Sequence, residues 1–136
     1  MPCLFCQIAE KKLPAKIVFE NEAALAFLDI NPRSKGHTVV APMVHAETIS
    51  DLPSEYDSEL LAAVRETIER LKALSPDGFT IGVNQGKISG QEVPHLHIHI
   101  IPRYKDDGGS SIQSVVPAKS DKDTAAVWDI ITKGLK

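Results

Sequence analysis

The sequence predicts a single α+β domain built on an antiparallel sheet. Strand-like segments come mostly as neighbouring pairs, with helical segments set apart from them, which is not an alternating βαβ series. Residues 54–74 carry apolar residues at helical spacing and predict one long helix. Residues 93–103, "VPHLHIHIIPR", alternate histidine with large aliphatic residues, which is typical of a strand with two unlike faces.

The composition limits the class of protein. The 136 residues fit one domain, 1–136, and the 43% hydrophobic and 24% charged residues are ordinary for a globular chain. The net charge of −3 provides no basic field for a nucleic acid polymer, and no apolar run approaches the ~18 residues of a membrane helix. The N-terminus lacks the pattern of a secretion signal, so we expect a cytoplasmic protein without a membrane partner.

The first third of the chain predicts a short helix followed by three strands. The helix covers residues 5–11 and is stopped by the proline that follows. Residues 16–20 and 24–30 are rich in β-formers and predict a hairpin. A loop at 31–36 then leads to a strand at 37–42, which ends at a proline.

The long helix predicted at 54–74 has start signals before it and the stop signal "SPDG" after it. We expect its apolar stripe to cover one face of the sheet. The stripe consists of Leu60, Leu61, Val64, Ile68, Leu71 and Leu74.

The rest of the chain predicts two strands and a second helix. Strands at 79–84 and 95–102 are joined by a glycine-bearing loop at 85–94, which is longer than an ordinary hairpin turn. After a polar segment, residues 121–135 predict a final amphipathic helix.

The alternating row raises the question of chemistry. In a strand His95, His97 and His99 share one face, with Cα atoms about 6.6 Å apart, and the intervening aliphatic residues face the helix. The row could be a solvated surface that happens to carry histidine. It could instead ligate a catalytic metal, or supply a neutral nucleophile with neighbours that hold an anion. Clustered imidazoles disfavour one another's protonation, which suits a neutral nucleophile.

Two stretches carry a resemblance to a known family. "GQEVPHLHIHIIPR" and "CLFCQIAEKKLPAKIVFENEAALAFLDINPRSKGHTVVAP" resemble the histidine triad (HIT) family of nucleotide hydrolases and transferases, in its Hint-like phosphoramidase branch of bacterial type with a CxxC pair. The resemblance covers about residues 3–104 and leaves 105–136 outside it. It implies the HIT fold, with about five strands, one long helix and short flanking helices. It also implies a homodimer in which the long helix and a sheet edge pair across a two-fold axis.

The resemblance assigns catalytic roles to three histidines. His97 matches the nucleophile, which attacks the α-phosphorus of a nucleoside monophosphoryl compound and forms a covalent nucleotidyl-histidine. His99 matches the histidine that contacts phosphate oxygens. His37, in "KGHTVV", matches a fourth active-site histidine on the neighbouring strand.

The substrate-binding residues are also implied by the resemblance. Asn84 matches an amide near the phosphate or leaving group, and Gln91 lies in the loop that closes over the phosphate. Glu92 stands where many phosphoramidases have serine; it either handles a leaving amine's proton or simply faces solvent. Asp29 matches the carboxylate that grips the ribose hydroxyls. The apolar cleft for the base consists of Leu4, Phe5, Ile8, Phe27 and Ile30, which without the resemblance would be ordinary core residues.

A structural zinc site is implied as well. The chain has a CxxC pair, Cys3 and Cys6, and by itself this motif is weak. His45 and His95 match positions that complete a zinc site in many bacterial-type members. The resulting Cys2His2 set suits tetrahedral zinc with no open position, so we expect about one Zn²⁺ per chain.

The implied function is hydrolysis of a nucleoside 5′-monophosphate joined to an amine or another leaving group, with an AMP- or GMP-like nucleotide in the substrate. Adenosine phosphoramidates are the favoured class. A dinucleoside polyphosphate hydrolase is the alternative, which the charge of Glu92 disfavours. A nucleotide-binding interaction module with incidental activity and a zinc-dependent hydrolase are the other hypotheses.

Overall fold

The computed structural model describes residues 3–117 and 123–134, and it has the predicted α+β architecture. A five-stranded antiparallel sheet has the order β1-β2-β3-β5-β4. Its strands are β1 Ile17–Glu20, β2 Ala24–Leu28, β3 Thr38–Pro42, β4 Gly78–Gly82 and β5 Ile98–Arg103. The helices are α1 Leu4–Ala9, α2 Asp57–Leu71 and α3 Thr124–Lys133.

Helix α2 covers one face of the sheet, as predicted. Leu60, Val64 and Leu71 of the helix are buried in one apolar cluster with Leu96 and Ile100. The predicted stripe is wrong at one position, because Leu61 is 60% exposed and lies off the buried face. Short 3₁₀ turns at Ser54–Tyr56 and Lys72–Leu74 extend the helix to the predicted limits.

The opposite face of the sheet carries a smaller apolar cluster beneath α1. Ile8 of that helix packs on Leu25 and Phe27 of β2 and on Val39 of β3. This cluster covers only the β2–β3 half of the face. The β5–β4 half of the same face carries His99 and Gly82, which are directly paired.

Strand β5 begins three residues later than predicted. His95 and His97 precede the strand, and only His99 belongs to it. The segment before Ile98 makes other backbone contacts, because the N–H of His95 bonds to the Val93 carbonyl and that of Leu96 bonds to the Ala46 carbonyl at 2.6 Å. The alternation of side chains nevertheless holds.

The C-terminal helix forms as predicted. Of the predicted range 121–135, residues 121, 122 and 135 lie outside the described residues. The sequence left the role of Trp128 open, and in the structure it is 65% exposed, as are Ile130 and Ile131 beside it. No helix in the described residues is both long and apolar enough to cross a membrane.

Candidate active site

Three histidine rings, those of His37, His99 and His97, form a connected row on one face of the sheet, with His95 next along the chain. The His37 and His99 ring centroids are 5.2 Å apart, and those of His97 and His99 are 5.0 Å apart. The row exists because β3 pairs with β5: Val39 lies opposite His99, which brings the chain just before β3 beside the triad. His95 continues the row toward the N-terminal cysteines.

A tight turn delivers His37 to this row. Gly36 has φ +91°, a left-handed conformation that suits glycine, and a Cβ there would lie 2.5 Å from Leu74 Cδ1. The turn lets the N–H of His37 bond to the Ser34 carbonyl at 3.1 Å. This is the physical role of the glycine in "NPRSKGH".

The His97 ring is held in one orientation by a backbone carbonyl. Its side chain is buried, at 8% exposure, and its Nδ1 lies 2.7 Å from the carbonyl oxygen of His95. A carbonyl can only accept, so Nδ1 carries a hydrogen, and in the uncharged form of the ring the lone pair is on Nε2. The described residues supply no hydrogen bond to that Nε2.

His37 and His99 form a directed hydrogen-bond chain. The backbone N–H of Arg33 donates to Nδ1 of His37 at 3.0 Å, which requires the neutral ring to carry its hydrogen on Nε2. That Nε2 lies 3.0 Å from Nδ1 of His99 and 3.5 Å from Oδ2 of Asp29. The shorter contact makes His99 the acceptor, so His99 presents its other nitrogen as an N–H donor suited to a phosphate oxygen.

Burial keeps these two imidazoles neutral. It lowers the pKa of His37, despite the opposing effect of the Asp29 carboxylate. Burial, followed by the charges of His97 and His37, lowers the pKa of His99 to about 4. The chain of donors and acceptors is thus in place at neutral pH.

A cavity of about 610 Å³ lies beside the histidine row, over β2 and β3. Asp29 lies at its edge, where Oδ1 accepts from the Asn31 N–H at 2.8 Å and Oδ2 faces His37. The apolar residues predicted to hold a base all line this cavity: Leu4, Phe5, Ile8, Phe27 and Ile30. Its lining is mostly apolar, Lys16 and Asp29 are its charged residues among those described, and the Asp29 carboxylate faces the histidine row, which suits a nucleoside.

Phe5 links this cavity to His97, a contact that the sequence alone did not predict. Its ring lies edge-on to the His97 ring, with centroids 4.9 Å apart at 86°, and also contacts Phe27 at 5.3 Å. Such aromatic pairs fix ring orientation. The signal that could have indicated the contact is the position of Phe5 between two predicted metal ligands.

The predicted loop residues occupy different environments. The Gln91 amide is buried, accepts from the Gly86 N–H at 2.9 Å and donates to the Glu47 carbonyl at 2.7 Å, so it holds the loop in shape. Asn84 lies beside His99 in the lining of a second cavity. Glu92 is exposed.

The four predicted metal ligands converge at the other end of the row. Nδ1 of His95 lies 3.3 Å from Cys3 Sγ and 3.5 Å from Cys6 Sγ, and Nδ1 of His45 lies 3.4 Å from Cys6 Sγ. A tetrahedral zinc ion, with bonds of about 2.3 Å to sulfur and about 2.0 Å to nitrogen, separates such atoms by about 3.5 Å. The observed distances fit zinc.

The protonation of the cluster also fits a metal. Nε2 of His95 lies 2.9 Å from the Pro42 carbonyl, so it carries the hydrogen and leaves the Nδ1 lone pair facing the two sulfurs. Burial and the adjacent Cys3 raise the pKa of Cys6 to about 11, so without a cation the thiol stays protonated. A metal that binds here would displace that proton.

Comparisons with known proteins agree with the geometry. A HIT-like protein of Methanocaldococcus jannaschii is 50% identical over 106 residues, which is 78% of this chain and 82% of that protein. A Schizosaccharomyces pombe protein named adenosine 5′-monophosphoramidase is 37% identical over 112 residues, 82% of each chain. The crystal structure of a HIT family protein from Bacillus anthracis superposes with a TM-score of 0.81 at 34% identity and covers 98% of this chain and 97% of its own. The HIT domain model matches residues 10–106, and the chain belongs to the HIT family.

Proposed function

We propose that this protein hydrolyses nucleoside 5′-monophosphates joined to an amine, through a covalent nucleotidyl intermediate on His97. The observation that carries the proposal is the orientation of His97, whose Nδ1 is held by the His95 carbonyl at 2.7 Å and whose Nε2 keeps its lone pair. The phosphoramidase name of the S. pombe relative supports the amine as leaving group. The apolar cavity beside Asp29 supports a nucleoside, AMP- or GMP-like.

The reaction has two displacements at phosphorus. The Nε2 lone pair of His97 forms an N–P bond as the bond from phosphorus to the amine breaks, and the amine leaves with that electron pair and a proton from solvent. Water then attacks the same phosphorus, breaks the N–P bond and restores His97, which releases the nucleoside 5′-monophosphate and a proton. His99 donates to a phosphate oxygen, and His37 keeps it in the donor tautomer.

The decisive experiment is acid-quenched mass spectrometry during turnover of adenosine 5′-phosphoramidate. We expect a nucleotidyl adduct that fragmentation assigns to His97. His97→Asn and His97→Ala should lack the adduct and lose at least about 10³-fold in kcat, or about 4 kcal/mol, while keeping wild-type circular dichroism. Activity of either variant within about tenfold of wild type would contradict the proposal.

A zinc-dependent hydrolase is the main rival, because Asp29, His37 and His99 also lie close enough to share an ion. The Arg33 N–H argues against it. As long as this bond occupies Nδ1 of His37, a neutral ring keeps its hydrogen on Nε2, the atom that would have to ligate the metal. Hydrolysis that stops at once on addition of a chelator would favour the rival.

A dinucleoside polyphosphate hydrolase and a binding module are the remaining alternatives. The exposed Glu92 carboxylate beside the phosphate loop opposes an anionic leaving group. The lone pair on His97 argues against pure binding, since binding does not need a nucleophile. Measuring the turnover of an adenosine phosphoramidate and of a dinucleoside polyphosphate by one preparation would rank the phosphoramidase, the polyphosphate hydrolase and the binding module.

We also propose that the Cys3, Cys6, His45 and His95 cluster holds a structural Zn²⁺. A zinc ion held by these four residues would tie α1, which forms part of the wall of the nucleoside cavity, to the segment that carries His97. Zinc would supply only structural cross-linking, because a Cys2His2 set has no open position for chemistry. Reduced thiols are needed, which supports a cytoplasmic location.

Assembly as a homodimer completes the proposal. Strand β4 is an edge of the sheet and exposes Ile81, and α2 exposes Leu61. Both features are those expected of a surface that a second copy covers, through the helix and the sheet edge.

A further inference from the structure

The ring of Phe5 belongs both to the nucleoside cavity and to the surroundings of His97. It lines the cavity, and its centroid lies 4.9 Å from that of the His97 ring. Phe27 lines the same cavity and contacts Phe5 at 5.3 Å. Of these two phenylalanines, Phe5 alone has a ring contact with His97 in the part of the chain that the structure describes. Phe5 therefore joins the cavity to the histidine row.

Three contacts hold the His97 ring. The His95 carbonyl lies 2.7 Å from Nδ1 and fixes one corner of the ring. The rings of Phe5 and His99 lie at steep angles to it, 86° and 68°, and in a close-packed interior they restrict its rotation. His99 is held in turn by Nε2 of His37 at 3.0 Å. The position of Nε2 on His97 thus depends on where the Phe5 ring lies.

Phe5 differs from Phe27 in how firmly the protein holds it. Phe27 is 5% exposed, whereas Phe5 is half-buried and lies in the first turn of the short helix α1. Part of the Phe5 ring therefore faces the open cavity. A base that fills the cavity covers this part, removes apolar surface from water and packs against the ring. The freedom of the Phe5 ring then depends on whether the cavity is occupied.

We infer that Phe5 is a positioning residue that couples an occupied nucleoside cavity to the His97 ring, so that the base of the substrate raises kcat and not only affinity. The inference rests on the proposed function. A base that restricts the Phe5 ring also restricts His97 and keeps its Nε2 aligned with the phosphorus. Binding energy from a remote part of the substrate is used in this way to orient the reacting atoms. A misplacement of about 1 Å costs about 10²-fold in rate, so a small restriction has a measurable effect.

The test compares adenosine 5′-phosphoramidate with ribose 5-phosphoramidate, which lacks the base. With wild type, loss of the base should lower kcat about 10-fold and also raise KM. Phe5→Leu keeps an apolar side chain without a ring, and its kcat for the adenosine compound should fall about 10-fold. Its kcat should be nearly the same for both compounds, because the base no longer acts on His97 through the ring. Steady-state kinetics on the four combinations measures this coupling.

Phe27→Leu is the matched control, because it removes a ring from the same cavity that does not contact His97. It should raise KM for the adenosine compound, while its kcat should still depend on the base. Phe5→Tyr keeps the ring and should restore most of kcat together with its dependence on the base. Circular dichroism of each variant should match wild type.

Three results would overturn the inference and leave the proposed function standing. The first is a wild-type kcat that does not depend on the base, and the second is an equal loss of kcat in Phe5→Leu and Phe27→Leu. The third concerns the cysteines on either side of Phe5: if Phe5→Leu has lost metal by elemental analysis and added Zn²⁺ restores its kcat, the cluster and not the ring positions His97. Absence of a nucleotidyl adduct on His97 in wild type would overturn both proposals.

Discussion

The Nδ1 atom of His97 lies 2.7 Å from the carbonyl oxygen of His95, and His95 directs its own Nδ1 at the sulfurs of Cys3 and Cys6. His95 therefore belongs to the cysteine cluster through its side chain and orients the His97 ring through its backbone. Phe5, which lies between the two cysteines in the chain, packs against the His97 ring. Changes at the cluster should consequently reach the site through two routes.

Loss of the metal should weaken the fold. We expect about one zinc per chain by elemental analysis, and Cys6→Ser should lower both the zinc content and the free energy of unfolding, the latter by at least about 2 kcal/mol. The physical reason is the lost cross-link between α1 and His95. A chelator should act slowly and in step with unfolding. Purified protein that is free of zinc yet equally stable would refute the structural role.

His37 should affect turnover more than substrate binding. His37→Asn removes the N–H that donates to Nδ1 of His99, so His99 loses its fixed donor tautomer and kcat should fall about 10- to 100-fold. Asp29→Asn is the comparison, because loss of a carboxylate that we propose to bind the ribose hydroxyls should mainly raise KM. Steady-state kinetics on both variants separates the two effects. Equal effects on KM in both would argue against the hydrogen-bond chain.

Stability should fall as the pH falls below about 6.5. The pKa of His99 is lowered from 6.5 to about 4 in the folded protein, by burial first and then by the charges of its histidine neighbours. Between these two pH values the unfolded chain binds a proton on His99 that the folded protein does not bind. The contribution of His99 to the free energy of unfolding is therefore complete above about pH 6.5 and is lost toward pH 4. Urea unfolding of wild type and His99→Asn at several pH values measures this. The variant should show the shallower decline, and parallel curves would count against the lowered pKa.

The exposed face of α2 and the β4 edge should mediate self-association. Wild type should have a mass in solution of about twice the 14.8 kDa of one chain by light scattering. Leu61→Asp places a charge on this surface, which a partner would have to desolvate, and should shift the protein toward the monomer. Lys72→Asp is the control, because it also adds negative charge at an exposed position next to the end of α2. If added negative charge alone caused dissociation, this variant would shift toward the monomer as well. A wild-type monomer at all concentrations would disprove the dimer.

The turn before His37 should tolerate no side chain. Gly36→Ala forces φ +91° on a residue with a Cβ that meets Leu74, and should cost about 1–3 kcal/mol of unfolding free energy. Gly78→Ala is the matched control, since no atom lies within 4 Å of its added Cβ. Chemical denaturation compares them. Equal stability of the two variants would show that the Gly36 conformation is not required.

The sequence by itself determined the main features of the fold. The alternation of histidine and aliphatic residues indicated which side chains face α2, and the spacing in 54–74 predicted that helix to within its terminal turns. The residues of the cysteine cluster and of the apolar cavity could be named in advance only through the resemblance to the HIT family, because a CxxC pair alone is a weak motif and the apolar residues alone indicate ordinary core. The features of the fold depend on residue type and local period.

Tertiary structure alone decided how the site is set for chemistry. The tautomers of His37 and His97 depend on the backbone groups of Arg33 and His95, and a backbone N–H or carbonyl leaves no signal in residue type. The contact of Phe5 with His97 joins segments about ninety residues apart in the chain, and the late start of β5 accompanies a backbone bond from Leu96 to Ala46, about fifty residues away. The second cavity is lined by residues of β4, of β5 and of the segment around Ile112, and no local pattern specifies a meeting of three separate segments.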